Sequence, residues 1–475
     1  LSNIPVALTI AGSDSGGGAG IEADLKTFAA LGVHGVVAIT AVTAQNTMGV
    51  SAVSEVSPEI VRSQIDAVVT DFGVKYAKTG MLSSPSIVEA VSRAISDHRL
   101  HLVVDPVMIA KSGAPLLKQD ALRNLKLQLL PLAEAVTPNV DEAEALSGMA
   151  IDDIDDAIVA GKAILKLGPK AVIIKGGHLS GPPIDLLITG DGTIRQYGGS
   201  RITSASTHGT GCTFSAAMTA LLSKGHSLEE SVLGAKAFVS NAILYGIRIG
   251  GGVGPANPMS NIEIDAEKYR VLSNMSDALA ILESTDGLSL LCPECQINIG
   301  MALPMQYARV PEDICAIPGR IVKLGSRLKA SACPHFGASS HVAKVILTAM
   351  SFDPRIRSAM NIRYSDSILD ACLRAGFTVS SYDRSKECLR AGFTVSSYDR
   401  SKEPDDVKRT EGASIPWGVT AAITASGKVP DVVFHKGDMG KEPMLNILGK
   451  DSVEVTMKAI SIVRQMLGRG PATPY

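Results

Sequence analysis

The chain has 475 residues, 45% of them hydrophobic and 19% charged, which fits folded globular domains and excludes a disordered or low-complexity protein. Its 45 Lys and Arg stand against 47 Asp and Glu, so no net field draws it to nucleic acid or to an anionic membrane, and small-molecule chemistry is the class left. The length exceeds one ordinary core and calls for two or three domains.

No apolar run is long enough to span a bilayer. The opening "LSNIPVALTIAGSDSGGGAG" reads as a first strand entering a Gly-rich turn, not as a leader, so a cytoplasmic protein is expected. Over the first 250 residues, short β-branched runs alternate with helical patterns. "VALTIAG", "VVAITAV", "VKYAKTG", "HLVVDPV", "AEAVTPN" and "KAVIIKGG" read as strands. "GIEADLKTFAALG", "SPEIVRSQIDAVV" and "DIDDAIVAGKAILKLG" read as helices between them. Strands apolar on both faces and separated by helices predict a mostly parallel sheet covered on both sides, a three-layer αβα domain. "IDLLITGDGTIRQYGG" adds an antiparallel hairpin. Two helices close the unit, one after Gly211 and one along "SLEESVLGAKAFVSNAILYGIRIG".

"GGGVGPANPMSN" (250–261) is the clearest linker, and "EIDAEKYRVLSNMSDALAILES" after it is an amphipathic helix. The expected division is a first domain over 1–257, a linker and connecting helix over 258–284, and a second α/β domain over 285–475. In that second domain "SAMNIRY", "FTVSSYD" and "DVVFHKG" read as strands, and "SSHVAKVILTAM" and "SVEVTMKAISIVRQML" as helices. The segment "CLRAGFTVSSYDRSKE" occurs at 372–387 and again, letter for letter, at 388–403. Two copies are too few for a solenoid, and identity at every position argues for a recent duplication or a cloning or sequence error, in either case without its own chemistry. One copy should supply the "FTVSSYD" strand.

Chemistry-bearing residues cluster at strand ends. In "STHGTGCTFSAAM" (206–218), glycines precede a helix whose first amides have no intrahelical partner, which makes an anion site. On this stretch alone, a Gly-rich turn with a small buried Cys212 is an equal account. A thiol at a helix start is expected to be acidified, which makes Cys212 a candidate thiolate base. "AGSDSGGGAGIEADLK" (11–26) is Gly-rich but fits neither the P-loop nor the dinucleotide fingerprint. "TPNVDEAE" places Asn139 and Glu142 three apart, where their oxygens suit the water shell of Mg²⁺. Lys175 of "VIIKGGH" ends a strand where nucleotide phosphates would lie.

The order of "AGSDSGGGAGIEADLKT", "TAVTAQNT", "KTGM", "VVDPVM", "TPN-x-x-E", "IKGGH" and "HGTGCTFSAA" resembles the ribokinase superfamily. Within it the chain is similar to the hydroxymethylpyrimidine/phosphomethylpyrimidine kinases of thiamine biosynthesis, from residue 4 to about 257. The resemblance implies that Gly12, Asp24, Gln45, Met81 and Val107 line a pyrimidine pocket, with Gln45 on the aminopyrimidine edge. It implies that Asn139, Glu142, Lys175 and Thr207 serve MgATP, with Asp105 joining Glu142 at the metal. Gly209, Thr210, Gly211 and Cys212 would form the anion hole, and Cys212 stands where most of the superfamily has an aspartate.

In the second half the signals are Arg320, Arg327, Lys329 and His341, the last behind "FGASS", where Ser339 or Ser340 would cap a helix. Asn361 and Arg363 lie in "MNIRY", and His435, Asp438 and Lys441 in a Gly-punctuated loop suited to a diphosphate. "PGRIVK", "FGASSHVA", "MNIRY", "TVSSYDR" and "KGDMGKEPM" resemble the ThiN-type thiamine-phosphate synthase domain. That implies Arg320 and His341 as catalytic groups, Asn361 and Lys441 as substrate-binding groups, and Asp438 acting through Mg²⁺.

Seven cysteines lie at 212, 292, 295, 315, 333, 372 and 388. "CPEC" with Cys315 and Cys333 suggests a zinc site, but the second pair lacks the C-x-x-C spacing, so free thiols or a disulfide are expected. The expectation is a bifunctional enzyme using ATP and Mg²⁺. It would phosphorylate hydroxymethylpyrimidine twice and join the diphosphate to thiazole phosphate. Its partners are these small molecules, with no nucleic acid or membrane, and a homo-oligomer is left open. The alternatives are a kinase fused to a non-catalytic thiamine-phosphate sensor, and a pyridoxal-type kinase.

Overall fold

The computed structural model describes residues 4–468 apart from 110–112, 114–115, 179–180, 381–403, 405, 408–409, 411–412 and 438–441. The chain divides into two units, Leu1–Ile262 and Glu263–Tyr475.

The first unit opens with β1 (Val6–Asp14), α1 (Gly20–Ala30), β2 (His34–Asn46), β3 (Gly49–Glu55) and α2 (Pro58–Phe72). Then come β4 (Tyr76–Thr79), α3 (Pro85–His98), β5 (His101–Val104), α4 (Gln119–Asn124), β6 (Ala133–Val136), α5 (Val140–Ser147), α6 (Ile154–Leu165) and β7 (Ala171–Ile174). The hairpin β8 (Asp185–Thr189) and β9 (Ile194–Tyr197) precedes α7 (Thr210–Ser223) and α8 (Leu228–Leu244). The sheet order is β3-β2-β1-β4-β5-β6-β7-β8-β9. Pairs from β2 through β7 are parallel, and both edges are antiparallel.

The period-2 alternation of a strand sends neighbours to opposite faces. Leu102, Val104, Val172 and Ile174 join the core under α2, α3, α5 and α6. Val103, Ala171 and Ile173 join the core under α7 and α8, whose Phe214, Met218, Val232 and Phe238 pack there. Both cores need apolar strand residues, which is why these strands read as unbroken hydrophobic runs.

Strand β3 was not legible in the sequence. It is an edge strand with most residues exposed, so it carries no apolar alternation. Its signal is the turn before it, where the Asn46 side chain accepts the amides of Met48 and Gly49 at 2.8 and 3.2 Å.

The second unit begins within α9 (Ser260–Ser284). It continues through β10 (Ile299–Ala302), β11 (Ile314–Ala316), β12 (Ile321–Leu324), β13 (Arg327–Ala330), β14 (His335–Phe336), α10 (Ser340–Phe352), β15 (Ser358–Arg363), α11 (Asp366–Arg374) and β16 (Val379–Ser380). After these come α12 (Ser414–Ser426), β17 (Val432–His435), β18 (Met444–Gly449) and α13 (Ser452–Met466). Its main sheet, β14-β11-β10-β15-β18-β17-β16, is antiparallel except for the β16–β17 pair. Helix α10 packs on β10 and β15, and α13 on β15 and β18.

The helix expected to be a connector belongs to this unit. Val271, Met275, Ala278 and Leu282 form a fully buried stripe along α9. Asn274 Oδ1 accepts the Ser452 amide at 2.9 Å, and Glu283 accepts the Ala330 amide at 2.9 Å. The first copy of the duplicated segment supplies β16, and the second copy lies outside the described residues. Among the described residues no helix is long and apolar enough to cross a membrane.

Candidate functional site

Because β1, β4, β5, β6 and β7 are parallel, their carboxyl ends meet along one edge of the first sheet. A cavity of about 500 Å³ opens there. Small-molecule sites span roughly 300–1,000 Å³.

Helix α7 starts at the wall of this cavity. Its N-cap, Gly209, has φ 79°, and a Cβ there would fall 1.8 Å from the Gly18 carbonyl oxygen, so only glycine fits. No side chain caps the helix. The first-turn residues Thr210, Gly211 and Cys212 therefore bring uncapped amides and the positive end of the helix dipole to the cavity. A Cβ on Gly211 would lie 3.4 Å from Lys175 Nζ and 3.7 Å from Asp105 Oδ2, so its absence keeps the space between helix start and charges open.

Lys175 Nζ pairs with Asp105 Oδ1 at 3.2 Å, and Ser215 Oγ donates to Asp105 Oδ2 at 3.2 Å. Burial alone would lower the Lys175 ammonium, but Asp105 and Glu142 outweigh it and hold it above its ordinary range. Burial first, with Asp105 adding to it, pushes Glu142 up to about 7 against the pull of Lys175. Asn139 and Glu142 also form a capping box on α5, each side chain accepting the other's amide at 2.8 Å. The spacing first read as a ligand pair thus also fixes the helix start that holds Glu142 at the cavity. Thr207 lines the same cavity.

At the other end lie Gly12, Gln45, Met81 and Val107. Gly12 sits where β1 loses register against β2, and Gln45 where β2 loses register against β3. Such irregularities re-aim side chains beside sites.

Two expectations fail here. Asp24 does not line the cavity. It is fully buried, with Lys78 Nζ donating to its two oxygens at 3.0 and 3.2 Å and Thr9 Oγ1 donating at 2.6 Å. A carboxylate can be sealed in only when its charge and lone pairs are met, and Lys78 and Thr9 meet them within the protein. The Cys212 thiol is not acidified either. Burial pushes it up to about 12, against the pull of Lys78 and with Asp24 and Asp105 adding to the rise. At neutral pH the Cys212 side chain is therefore a thiol.

In the second unit two candidates, Arg320 and Asn361, meet at the turn Cys292–Gln296. The Arg320 guanidinium donates to the Cys295 carbonyl. Arg320 has φ 69°, a conformation that a non-glycine residue holds only when its surroundings fix it. Glu442 accepts the Glu294 and Cys295 amides at 2.7 and 3.0 Å. Asn361, expected to bind substrate, instead holds this turn. It is 4% exposed, its Nδ2 donates to the Gln296 carbonyl at 3.0 Å, and its Oδ1 accepts the Asn298 amide at 2.6 Å. His341 stands half-buried in the first turn of α10, which Ser339 caps. Asp438 and Lys441 lie outside the described residues. Cys315 is a buried residue of β11, paired with Met301 and Phe336.

The phosphomethylpyrimidine kinase family model matches residues 14–257, and that of thiamine-phosphate synthase ThiN matches 274–390 and 385–461. A bifunctional thiamine biosynthesis protein ThiDN of Methanocaldococcus jannaschii is 31% identical over 463 residues, 97% of this chain and 99% of that protein. The chain belongs to the ThiDN family.

Its kinase unit is 47% identical to a hydroxymethylpyrimidine/phosphomethylpyrimidine kinase of Streptomyces coelicolor over 254 residues, 53% of this chain and 94% of that protein. A pyridoxal kinase of Bacillus subtilis, solved as an ADP complex, is 40% identical with TM-score 0.51, covering 55% of this chain and 99% of that one. The two ThiN matches overlap inside the duplicated segment, as one domain carrying a second copy requires.

Three motif residues to which the sequence assigns no role hold the structure around these candidates. Asp14 accepts the amides of Gly16, Gly18 and Ala19, and an Asp just before a glycine run is the signal for such a loop cap. Lys78 is a charge inside an apolar strand, which demands a buried partner. Glu442, in "KEPM", had no signal, because its turn lies 148 residues earlier in the chain.

Proposed function

We propose that the kinase unit transfers phosphoryl groups from ATP to 4-amino-5-hydroxymethyl-2-methylpyrimidine and then to its monophosphate. The ThiN unit joins the resulting diphosphate to thiazole phosphate, forming thiamine phosphate and releasing pyrophosphate. The observation that carries this reading is the ThiDN likeness, which runs through both units rather than stopping at their boundary. The kinase cavity supports it with an uncapped helix start, a lysine and two carboxylates on one wall.

In this reading the α7 amides and Lys175 take the transferring phosphoryl oxygens, where preorganised donors stabilise charge. Among the described residues no three His, Cys, Asp or Glu group to hold a metal alone. Two carboxylates, one already paired with Lys175, suit Mg²⁺ carried largely by phosphate oxygens and water. Asp105 and Glu142 would hold it, and it would neutralise phosphate charge. Cys212 meets the substrate as a neutral thiol. A loose phosphoryl-transfer transition state asks little of a base, so the hydroxyl proton passes late to an oxygen of the transferred phosphoryl group, and the thiol, already protonated, takes none. In the ThiN unit, Arg320 supplies permanent charge for the departing diphosphate, and His341 a donor.

The pyridoxal-kinase alternative is disfavoured by the higher identity to the pyrimidine kinase, 47% against 40%. A sensor domain is disfavoured because the full-length relative is named bifunctional. The test supplies the full chain with pyrimidine diphosphate and thiazole phosphate. Turnover supports the synthase, whereas binding of thiamine phosphate without turnover supports the sensor.

A further inference from the structure

At the pyrimidine end of the kinase cavity, one imidazole nitrogen faces two partners. His208 Nε2 lies 2.9 Å from Asp14 Oδ2 and 3.1 Å from Gln45 Nε2. A ring nitrogen holds either a hydrogen to donate or a lone pair to accept, never both. The carboxylate only accepts, and the amide nitrogen only donates. The two contacts therefore compete for opposite states of the same atom.

Asp14 decides the contest. It is 3% exposed, and its oxygens accept the amides of Gly16, Gly18 and Ala19 at 2.8, 3.0 and 2.8 Å. Burial alone would raise its carboxyl, but His208 and the loop amides outweigh that and hold it below the usual carboxylate range. An anion in that place keeps the hydrogen on His208 Nε2. The His208 backbone is itself fixed, since its amide donates to the Gly254 carbonyl and its carbonyl accepts the Ala256 amide at 3.0 Å each. Gly18 packs so closely that a Cβ there would fall 2.5 Å from the ring.

The Gln45 backbone is fixed too, exchanging bonds with Ser15 Oγ at 2.8 and 2.7 Å, but its side-chain amide is loosely held. Among the described residues its oxygen has a single contact, 3.4 Å from Thr43 Oγ1. With a hydrogen on Nε2, the Gln45 N–H group cannot stay against His208. The amide either swings away or turns over and shares that hydrogen through its oxygen, and either arrangement releases its N–H from His208 beside the cavity that Gln45 lines.

We infer that Asp14 and His208 are positioning residues for substrate selection, fixing the His208 hydrogen so that the Gln45 N–H is presented to the acceptor ring nitrogen of the aminopyrimidine. This rests on the proposed kinase reading and on the contact between Gln45 and the pyrimidine that the family resemblance implies.

The test is a double-mutant cycle in the full chain with His208→Phe, Gln45→Ala and both together, reading KM for hydroxymethylpyrimidine and for MgATP separately. His208→Phe should raise the pyrimidine KM about 2- to 10-fold, the span of one hydrogen bond, without a matching rise for MgATP. His208→Gln, whose amide can donate to Asp14 in place of Nε2, should recover most of the loss. In the Gln45→Ala background, His208→Phe should have no further effect. An equal penalty in that background, or a parallel rise in both KM values, overturns the inference while leaving the Gln45 contact standing. An unchanged pyrimidine KM in Gln45→Ala alone overturns the contact, and the inference with it. If His208→Phe fails to fold, His208→Gln carries the test, and a full pyrimidine KM defect in it counts against the inference.

Discussion

In the kinase unit, parallel strands carry short loops to one edge, so residues from "HGTGC", "TPNVDE" and "VIIKGGH" meet in one cavity despite wide separation in sequence. In the ThiN unit, antiparallel strands deliver consecutive loops to opposite ends. Two of its candidates, Arg320 and Asn361, are instead gathered with Glu442 by bonds to the backbone of one turn, Cys292–Gln296. The first site is assembled by topology and the second by side chains that grip the main chain. Substitutions should therefore act differently in the two units.

The largest effect should come from the support of the kinase sheet. Lys78→Met leaves the Asp24 charge buried and unpaired, which should destabilise the first unit by ~3–5 kcal/mol in urea unfolding. Replacing Asp24 by leucine in the same chain should recover most of that loss. No recovery in the double variant would show that the pair is more than a mutual charge balance.

Next, Arg320→Ala should lower thiamine phosphate formation ~10²–10³-fold, the effect of removing one fixed donor from a developing anion. Pyrimidine phosphorylation in the same preparation should be unchanged. Equal losses in both reactions would break the division of labour between the units.

A smaller effect is the pH response of Glu142. Its folded value of about 7 lies above the ordinary 4.5, so the native state keeps a proton that the unfolded chain releases. Its contribution to stability is complete below pH 4.5 and is lost as the pH rises through 7. Ligand capture moves the other way. The kcat/KM for MgATP should rise as pH approaches 7 and level off above it, as the carboxylate forms. Glu142→Gln should flatten that limb, and a limb that survives the substitution would assign it to another group.

The smallest effect expected is from deleting residues 388–403, because loop length costs only ~0.6 kcal/mol per doubling. Both activities should persist, and loss of the synthase alone would show that the ThiN unit uses both copies.

The parts legible in the sequence follow from local rules. Both-face apolar strands signalled the parallel sheet, and glycines before α7 signalled the helix start at the cavity. Edge strand β3 escaped because exposure removes alternation, and α9 looked like a connector because its partners, Ala330 and Ser452, lie far along the chain. Asp24 and Asn361 were placed at ligands because residue type and motif do not reveal burial. Each has its polar atoms met within the protein. The rise of the Cys212 thiol has the same origin, since burial outweighs the pull of Lys78.

The most direct measurement is a single reaction of the full chain with hydroxymethylpyrimidine, MgATP and thiazole phosphate, following ADP, pyrophosphate and thiamine phosphate together. The account predicts two ADP and one pyrophosphate for each thiamine phosphate formed. Accumulation of pyrimidine diphosphate without thiamine phosphate would contradict it.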